Sequence, residues 1–162
     1  MNSIDEAVIG GMARDLITSL EGVVVGTTLW LNGCNRVIIQ PRYLIKGEPA
    51  KRFSIDVQQA EMLGTEKVIP VREVQAQGNG DLRLGVIAMD TVTGFKGVVV
   101  AETKWATGAR TLAVQSQELQ DGKMLDSEWF EDVSLKVLDK RSIFTEATEK
   151  PGGPFPEPGR GR

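Results

Sequence analysis

The side chains that most often carry catalysis are scarce in this sequence. Its 162 residues include no histidine, which removes the commonest general base and metal ligand and leaves the one cysteine, Cys34, without an imidazole partner. Cys34 follows a turn glycine, so we expect a partly buried, structural thiol. Carboxylates cluster in Asp126–Asp132, but their spacing matches no calcium-binding loop, and we expect a solvated loop before a strand. The sequence therefore predicts no enzyme activity, no metal site and no cofactor.

Aromatic and polar side chains are the remaining candidates for function, and they indicate binding. Trp30 and Trp105 are expected either to fill a small core or to stack on a ligand. The polar candidates lie at or near short strands, where they are either solvated or exposed for recognition. A Pro-Phe-Pro segment forms a third group, because proline-rich segments dock on aromatic surfaces. The candidate binding residues are Trp30, Arg36, Gln40, Trp105, Arg110, Gln115, Pro154, Phe155 and Pro156.

Several of these candidates occur in pairs because the chain repeats itself with an offset of 75 residues. Without a gap, 14 of the 38 positions from Gly10 to Gly47 carry the same residue type as the positions 75 further on. Average composition gives about one match in fifteen. The sequence is therefore a tandem duplication, with a first and a second copy of about 60 residues each. Units of that size are marginal alone, so we expect the copies to pack on each other, on a homo-oligomer partner or on another protein.

Each copy consists of short β-branched segments separated by glycine turns, which predicts strands. Val98–Ala101 follows a turn with glycine at both ends, and the returning strands Arg36–Gln40 and Arg110–Gln115 follow glycine hairpins. In the turns, Asp15 and Asp90 are expected to hold the backbone through side-chain hydrogen bonds. Because closure removes exposed strand edges, we expect each copy to form a small closed barrel.

The patterning also predicts where the copies begin and end. We expect Phe53–Val57 to be a strand and Lys67–Val74 to be an edge strand that finishes the first barrel, with Pro70 at the edge. The proline-rich segment Lys150–Arg162 is expected to be extended. The predicted division is an N-terminal arm (1–9), a first barrel (10–76), a linker (77–81), a second barrel (82–140) and an extended Pro/Gly-rich tail (141–162).

Composition limits the classes of partner. A formal net charge of −3 and a pI near 5.1 argue against a nucleic-acid-binding surface, which needs an excess of Lys and Arg. Hydrophobic residues make up 41% and charged residues 25%, as in ordinary globular proteins. The sequence contains no apolar run of membrane-spanning length, so no membrane partner is expected. The single cysteine fits a reducing compartment such as a cytoplasm.

The second copy carries a motif that resembles a known family. Asp90-Thr-Val-Thr-Gly-Phe-Lys-Gly97, followed by Trp105, Gly108, Arg110, Gln115, Gly122-Lys123 and Glu128-Trp129-Phe130, resembles small uncharacterised phage and prophage proteins with an SH3-like barrel. Their pattern is D-x-V-T-G-F-x-G, G-C-x-R, Q-P, D-G-K and E-W-F-D. The resemblance covers Leu84–Leu138 well and Gly10–Leu63 more loosely. The second copy has Ala109 where the pattern has Cys, and Glu131 where it has Asp.

The resemblance implies an all-β fold of two tandem small SH3-like β-barrels and a role in a tailed phage. Our leading hypothesis is a non-enzymatic structural or accessory protein of the particle, such as a decoration, collar or tail-associated component. Its partners would be other virion proteins, and its location the virion, or the host cytoplasm during assembly. A second hypothesis is an anti-defence protein that sequesters a small molecule between the barrels near Trp30 and Trp105. A third, from a fainter similarity to KOW-type barrels, is a nucleic-acid-binding module. Fold alone does not decide among them.

Overall fold

A computed structural model describes residues 8–72 and 80–144 of the protein, and these residues are all-β, as the sequence predicts. Most of the predicted N-terminal arm and linker, and residues 145–162 of the predicted tail, lie outside the described residues. The strands of the first copy are β1 (Gly11–Asp15), β2 (Glu21–Trp30), β3 (Arg36–Gln40), β4 (Leu44–Ile45), β5 (Glu48–Pro49), β6 (Phe53–Asp56) and β7 (Ala60–Lys67).

The second copy repeats this order of strands at the 75-residue offset. For example, the long strand β2 has the same length of 10 residues as its counterpart. The strands of the second copy are β8 (Ile87–Asp90), β9 (Lys96–Trp105), β10 (Arg110–Gln115), β11 (Leu119–Gln120), β12 (Lys123–Met124), β13 (Glu128–Glu131) and β14 (Leu135–Asp139). The duplication seen in the sequence is therefore also a structural duplication.

Within each copy the strands pair antiparallel in the same order. In the first copy the order is β7-β1-β2-β3-β6, and a three-residue 3-10 turn, Val57–Gln59, connects β6 to β7. In the second copy the order is β14-β8-β9-β10-β13, with the equivalent turn at Asp132–Ser134. Among the described residues, the two end strands of each copy do not pair with each other. Hydrogen bonds therefore close neither copy into a barrel, in contrast to the closed barrels that the sequence predicts.

The strand that finishes the first copy differs from the prediction. The predicted strand Lys67–Val74 is wrong over its described part, because β7 ends at Lys67 and residues 68–72 are not in a strand. The prediction also extended the preceding strand to Val57, which begins the 3-10 turn. That turn interrupts the alternation of side chains, and the chain then continues into β7 instead of ending.

Each copy has its own hydrophobic core on one face of its strands. The two cores have the same construction, since Val24 and Val99, at equivalent positions, are fully buried in them. The first core consists of Ala13, Val24, Val37, Ile39, Ile55, Val57 and Ala60, and the second of Leu82, Val86, Ala88, Val99, Leu112, Val114 and Leu135. Because each copy has its own core, the pattern of buried apolar residues occurs in both copies.

The two copies are joined by direct pairing of β2 with β9. One edge of β2 pairs with β3, and one edge of β9 pairs with β10. On the opposite edge, the first half of each long strand pairs within its own copy, and the second half pairs with the other copy. In that pairing Thr28 lies opposite Thr103, its own counterpart 75 residues later. A pseudo-two-fold axis therefore passes through this threonine pair. Ten of the strands in the described residues form one sheet as a result.

The turn between β1 and β2 gives a first stability prediction. Ser19 has φ of 63°, a left-handed conformation that costs a residue with a Cβ about 1–2 kcal/mol, whereas its counterpart Gly94 adopts φ of 81° freely. Ser19→Gly removes this conformational cost, but part of the gain is offset because glycine loses more entropy on folding. The free energy of unfolding is therefore expected to rise by about 0.5–1 kcal/mol, measured by urea denaturation. The reciprocal control, Gly94→Ala, is expected to lower it by about 1 kcal/mol. Destabilisation by Ser19→Gly would contradict this explanation.

Candidate binding cleft

An open cleft lies over the strands that join the two copies. Its floor is a row of polar residues that face one another across six paired strands, from β6 through β3, β2, β9 and β10 to β13. The row reads Asp56, Arg36, Thr28, Thr103, Thr111 and Glu131. At its centre the hydroxyl groups of Thr28 and Thr103 are buried and hydrogen-bonded to each other at 2.7 Å. The floor is thus held together at the pseudo-two-fold axis.

One wall of the cleft is aromatic because two tryptophans meet across small residues. Trp30 lies opposite Ala101 on β9, Ala101 lies opposite Ala113 on β10, and Ala113 lies opposite Trp129 on β13. Both alanines are fully buried, and their small side chains leave room for the rings to approach above them. The ring centroids of Trp30 and Trp129 are 6.0 Å apart at an interplanar angle of 88°, an edge-to-face contact.

The opposite wall is the symmetry-related row, but it carries a single tryptophan. Trp105 lies opposite Gly26 on β2, Gly26 lies opposite Ile38 on β3, and Ile38 lies opposite Ser54 on β6. Ser54 is the counterpart of Trp129 at the 75-residue offset, so this wall has a serine where the other has a tryptophan. A Cβ on Gly26 would lie 3.1 Å from the Trp105 ring, which is why a very small residue stands there. The Trp105 indole N–H donates a hydrogen bond to the Thr111 hydroxyl at 3.1 Å. The guanidinium of Arg52 lies 5.4 Å from its ring centroid.

The cleft is large enough for a ligand or a peptide segment. Its volume is about 650 Å³, and small-molecule sites commonly have volumes of about 300–1,000 Å³. All three tryptophans of the chain line it. Among them Trp129 is 45% exposed, a large value for such an apolar side chain. An exposed aromatic surface of this kind is typical of a binding site.

Charged side chains lie toward the two ends of the cleft floor, with Arg36 and Asp56 at one end and Glu131 at the other. Arg36 donates hydrogen bonds to the Ser54 hydroxyl at 3.1 Å and to the Ser54 carbonyl at 2.7 Å, and its Nε lies 3.7 Å from Asp56. Glu131 lies at the other end and is exposed. Because Arg36 is occupied by neighbours and the charges are of opposite sign, the cleft favours an apolar or weakly charged occupant.

Of the nine candidate residues from the sequence, three line this cleft: Trp30, Arg36 and Trp105. Gln40 and Gln115 instead brace equivalent loops, since their amide groups donate to the carbonyls of Ala50 and Leu125, each at 2.7 Å. Their duplication therefore has a structural explanation. Three more candidates, Pro154, Phe155 and Pro156, lie outside the described residues.

Arg110 also has a structural role. It donates to the Glu102 carboxylate at 3.0 Å and to the backbone carbonyl of Leu82, which begins the second core. Glu102 is only 9% exposed, so this ion pair neutralises a largely buried carboxylate. The arginine thereby ties the segment before β8 to the paired strands of the second copy.

Among the residues that shape the cleft, the sequence did not single out Thr28, Thr103, Trp129 or Phe130 as binding residues. The two threonines were visible as one of the matched pairs of the repeat, and the two aromatics as part of the Glu128-Trp129-Phe130 motif. Their common location was not visible, because it depends on β2 pairing with β9. The carboxylates of Asp126–Asp132 were expected in a loop, but β13 already begins at Glu128.

The duplicated turn aspartates behave as predicted. The Asp15 carboxylate accepts hydrogen bonds from the backbone N–H and the hydroxyl of Thr18, and from the Gln59 amide at 2.8 Å. These contacts, the Thr18 hydroxyl first, lower the pKa of Asp15 from its ordinary 3.8 to about 2. The Thr93 hydroxyl likewise lowers the pKa of Asp90 in the second copy. Both carboxylates are structural and lie away from the cleft lining.

This pKa shift gives a pH-dependent prediction. Because the folded pKa of Asp15 lies below its unfolded value, ionised Asp15 stabilises the fold above about pH 4, and that contribution is lost as the pH falls toward about 2. The difference in free energy of unfolding between wild type and Asp15→Asn should shrink over this window. Thr18→Val removes the largest cause, raises the folded pKa of Asp15 and should therefore narrow the window from its lower end. A difference that stays constant with pH in denaturation experiments would contradict the assignment.

Cys34 is exposed, so the prediction of a partly buried thiol is wrong. It lies in the turn between β2 and β3, where its backbone N–H is held by the Asn32 side chain at 3.0 Å and its own side chain faces outward.

Within residues 8–72 and 80–144, no group of three or more potential metal ligands lies together. In the same residues, no helix is long and apolar enough to cross a membrane.

Comparisons with known proteins give no relative: no protein-family model, no curated protein and no solved structure matches the chain. The resemblance to small phage proteins therefore stays a prediction from the motif.

Proposed function

We propose that this protein is a non-enzymatic binding protein that serves as a structural or accessory component of a tailed phage particle. Its location would be the virion, or the host cytoplasm during assembly, and its partners other virion proteins. The phage assignment rests on the Asp90–Gly97 motif and the residues that follow it. The observation that carries the binding role is the aromatic cleft, in which Trp30, Trp105 and Trp129 surround a polar floor.

We also propose that each copy is an SH3-like barrel in which the end strands approach without pairing. The support is a five-stranded antiparallel order whose two ends are joined by a three-residue turn, around a single small core. An experimental structure of the full chain tests this proposal. Superposition of each copy on SH3-like barrels is the expected result, and a flat sheet with separated ends would contradict it.

The test of the particle role is mass spectrometry of purified particles of the encoding phage, with the copy number of the protein per particle. Detection at a high copy number that fits the particle symmetry is the expected result. Absence from the particle, together with abundant protein in infected cells, would overturn the particle role.

Variants of the cleft test whether this surface holds the protein on the particle. Trp129→Ala removes the most exposed of the three rings, and aromatic side chains of this kind commonly contribute about 2 kcal/mol or more at interfaces. Particle incorporation is expected to fall by about tenfold or more. The matched control is Val92→Ala, which truncates an apolar side chain that is 83% exposed and does not line the cleft. Equal incorporation of both variants would exclude the cleft as the contact surface.

A small-molecule sequestering role is the second candidate, because the cleft has the volume of a ligand site and lies between the copies. Thermal-shift screening against nucleotide second messengers tests it. A ligand at a hundred times its Kd would stabilise the protein by about 2.7 kcal/mol. The shift should be lost in Trp129→Ala and kept in Val92→Ala. A screen without any stabilising ligand would count against this candidate and leave the particle role unaffected.

A further inference from the structure

We propose that the cleft is occupied by the protein's own C-terminal segment, with Pro154, Phe155 and Pro156 seated between the tryptophans. The inference rests on the cleft and on the sequence that follows Phe144, and it does not depend on membership of a phage particle. In this arrangement the segment competes with the virion partner proposed above for the same cleft. It explains why three tryptophans are gathered on a face that the described strands leave open.

The chemistry of the segment matches that of the cleft. Proline rings are flat and apolar, and extended polyproline segments dock on aromatic-lined grooves at a low entropic cost. Lys150–Arg162 contains four prolines, and Phe155 is its single large apolar side chain. The cleft offers the complementary features, namely indole faces on both walls and hydroxyl groups on the floor. Proline against tryptophan is therefore the expected contact.

The charges are also complementary. The segment Lys150–Arg162 carries three basic side chains and one acidic side chain, a net charge of +2. Because the whole chain has a formal net charge of −3, the remainder carries −5. At the cleft, Glu131 lies on β13 and is exposed, so it is available to the basic residues Arg160 and Arg162 that follow the Pro-Phe-Pro segment. Opposite net charges favour docking of the segment on this protein.

The tether, meaning the residues between Phe144 and the Pro-Phe-Pro segment, is long enough to reach the cleft. The described chain ends beside Gly85, where the Ile143 N–H donates to the Gly85 carbonyl at 3.1 Å and the Gly85 N–H donates to Val99 at 2.8 Å. From Val99 to Thr103 on the cleft floor is four residues of β9, or about 13 Å. The ten residues from 145 to 154 span about 31 Å when extended. A short tether also gives an effective concentration in the millimolar range, so even a weak contact is occupied.

The test uses intrinsic fluorescence, because all three tryptophans of the chain line the cleft and each reports on its occupation. The full-length chain is compared with Phe155→Ala and with the double variant Pro154→Ser, Pro156→Ser. Both variants are expected to shift tryptophan emission to longer wavelength and to lose protection from acrylamide quenching. Thr148→Ala, a truncation to alanine outside the Pro-Phe-Pro segment, is expected to retain both. Unchanged emission and quenching in Phe155→Ala would overturn the proposal.

Two further measurements identify the source of the segment and the site. A tethered segment protects the tryptophans from acrylamide independently of protein concentration, so this protection should persist on about a hundredfold dilution. Loss of protection on dilution would show that the segment comes from a second copy of the chain and would overturn the proposal. In two-dimensional NMR spectra of the full chain, Phe155→Ala is expected to shift the tryptophan indole signals. A synthetic Lys150–Arg162 peptide added to that variant at a concentration in the millimolar range, comparable with that of the tethered segment, should shift them back, and failure to do so would also overturn the proposal.

Discussion

Gly97→Ala is expected to lower the free energy of unfolding by about 3 kcal/mol or more, the upper end of what overpacking of a well-packed site costs. A Cβ at this position would overlap the backbone carbonyl oxygen of Gln115 and lie 2.5 Å from its carbonyl carbon. Neither strand can move aside cheaply, because Gln115 on β10 pairs with Val98, the neighbour of Gly97 on β9. Urea denaturation followed by circular dichroism measures the loss.

Two matched glycines control this experiment. Gly22, the counterpart in the first copy, approaches the Gln40 carbonyl in the same way, so Gly22→Ala is expected to be similarly destabilising. Gly80 has open space around its added Cβ and no positive φ, so Gly80→Ala should change stability by about 0.5 kcal/mol or less. A stable Gly97→Ala protein would mean that the close contact between β9 and β10 does not hold in solution.

The second large effect is expected at the pseudo-two-fold axis. Thr28→Val keeps the shape of the side chain but leaves the buried Thr103 hydroxyl without the partner that it has at 2.7 Å. An unsatisfied buried hydroxyl costs about 1–3 kcal/mol, so each single variant, Thr28→Val or Thr103→Val, should be destabilised by that amount. The double variant removes both polar groups and should be much less destabilised than the sum of the two.

This double-mutant cycle reports directly on the junction that forms the cleft, because the hydrogen bond links β2 to β9. The coupling energy is expected to be about 1 kcal/mol or more, measured from denaturant midpoints at constant m-value. Thr28→Ser and Thr103→Ser keep the hydroxyl and serve as controls that should lose less. Additive effects of the two valine substitutions would show that the two hydroxyl groups do not meet, and the floor of the cleft would then need a different arrangement.

Local features of the fold could be predicted from the sequence because short-range chemistry determines them. Asp15 and Asp90 hold turns through groups two and three residues away, and this follows from their spacing to threonine. The β-branched runs at the start of β2 and β9 predicted strands, and the structure has strands there. The duplication itself was visible as a series of identical residue types 75 positions apart. Each of these inferences needs only neighbours in the chain.

Other predictions were wrong where local patterns were ambiguous. The 3-10 turn Val57–Gln59 interrupts a segment that reads as a continuous strand, so the last strand of the first copy was predicted too late. Cys34 was expected to be partly buried by residue type, but its place in a turn exposes it. Arg110 was left open as either a solvated or a recognising residue, and its partner Glu102 became apparent only from the pairing of β9 with β10.

The sequence by itself determined an all-β chain, its duplication and its turn chemistry, since these depend on contacts between near neighbours. Only the tertiary structure decided that the copies share a sheet and that Trp30 of the first copy meets Trp129 of the second. That contact joins residues 99 positions apart and requires β2, β9, β10 and β13 to pair in register. No local pattern encodes such a register, because it is set by how the two copies pair through their long strands.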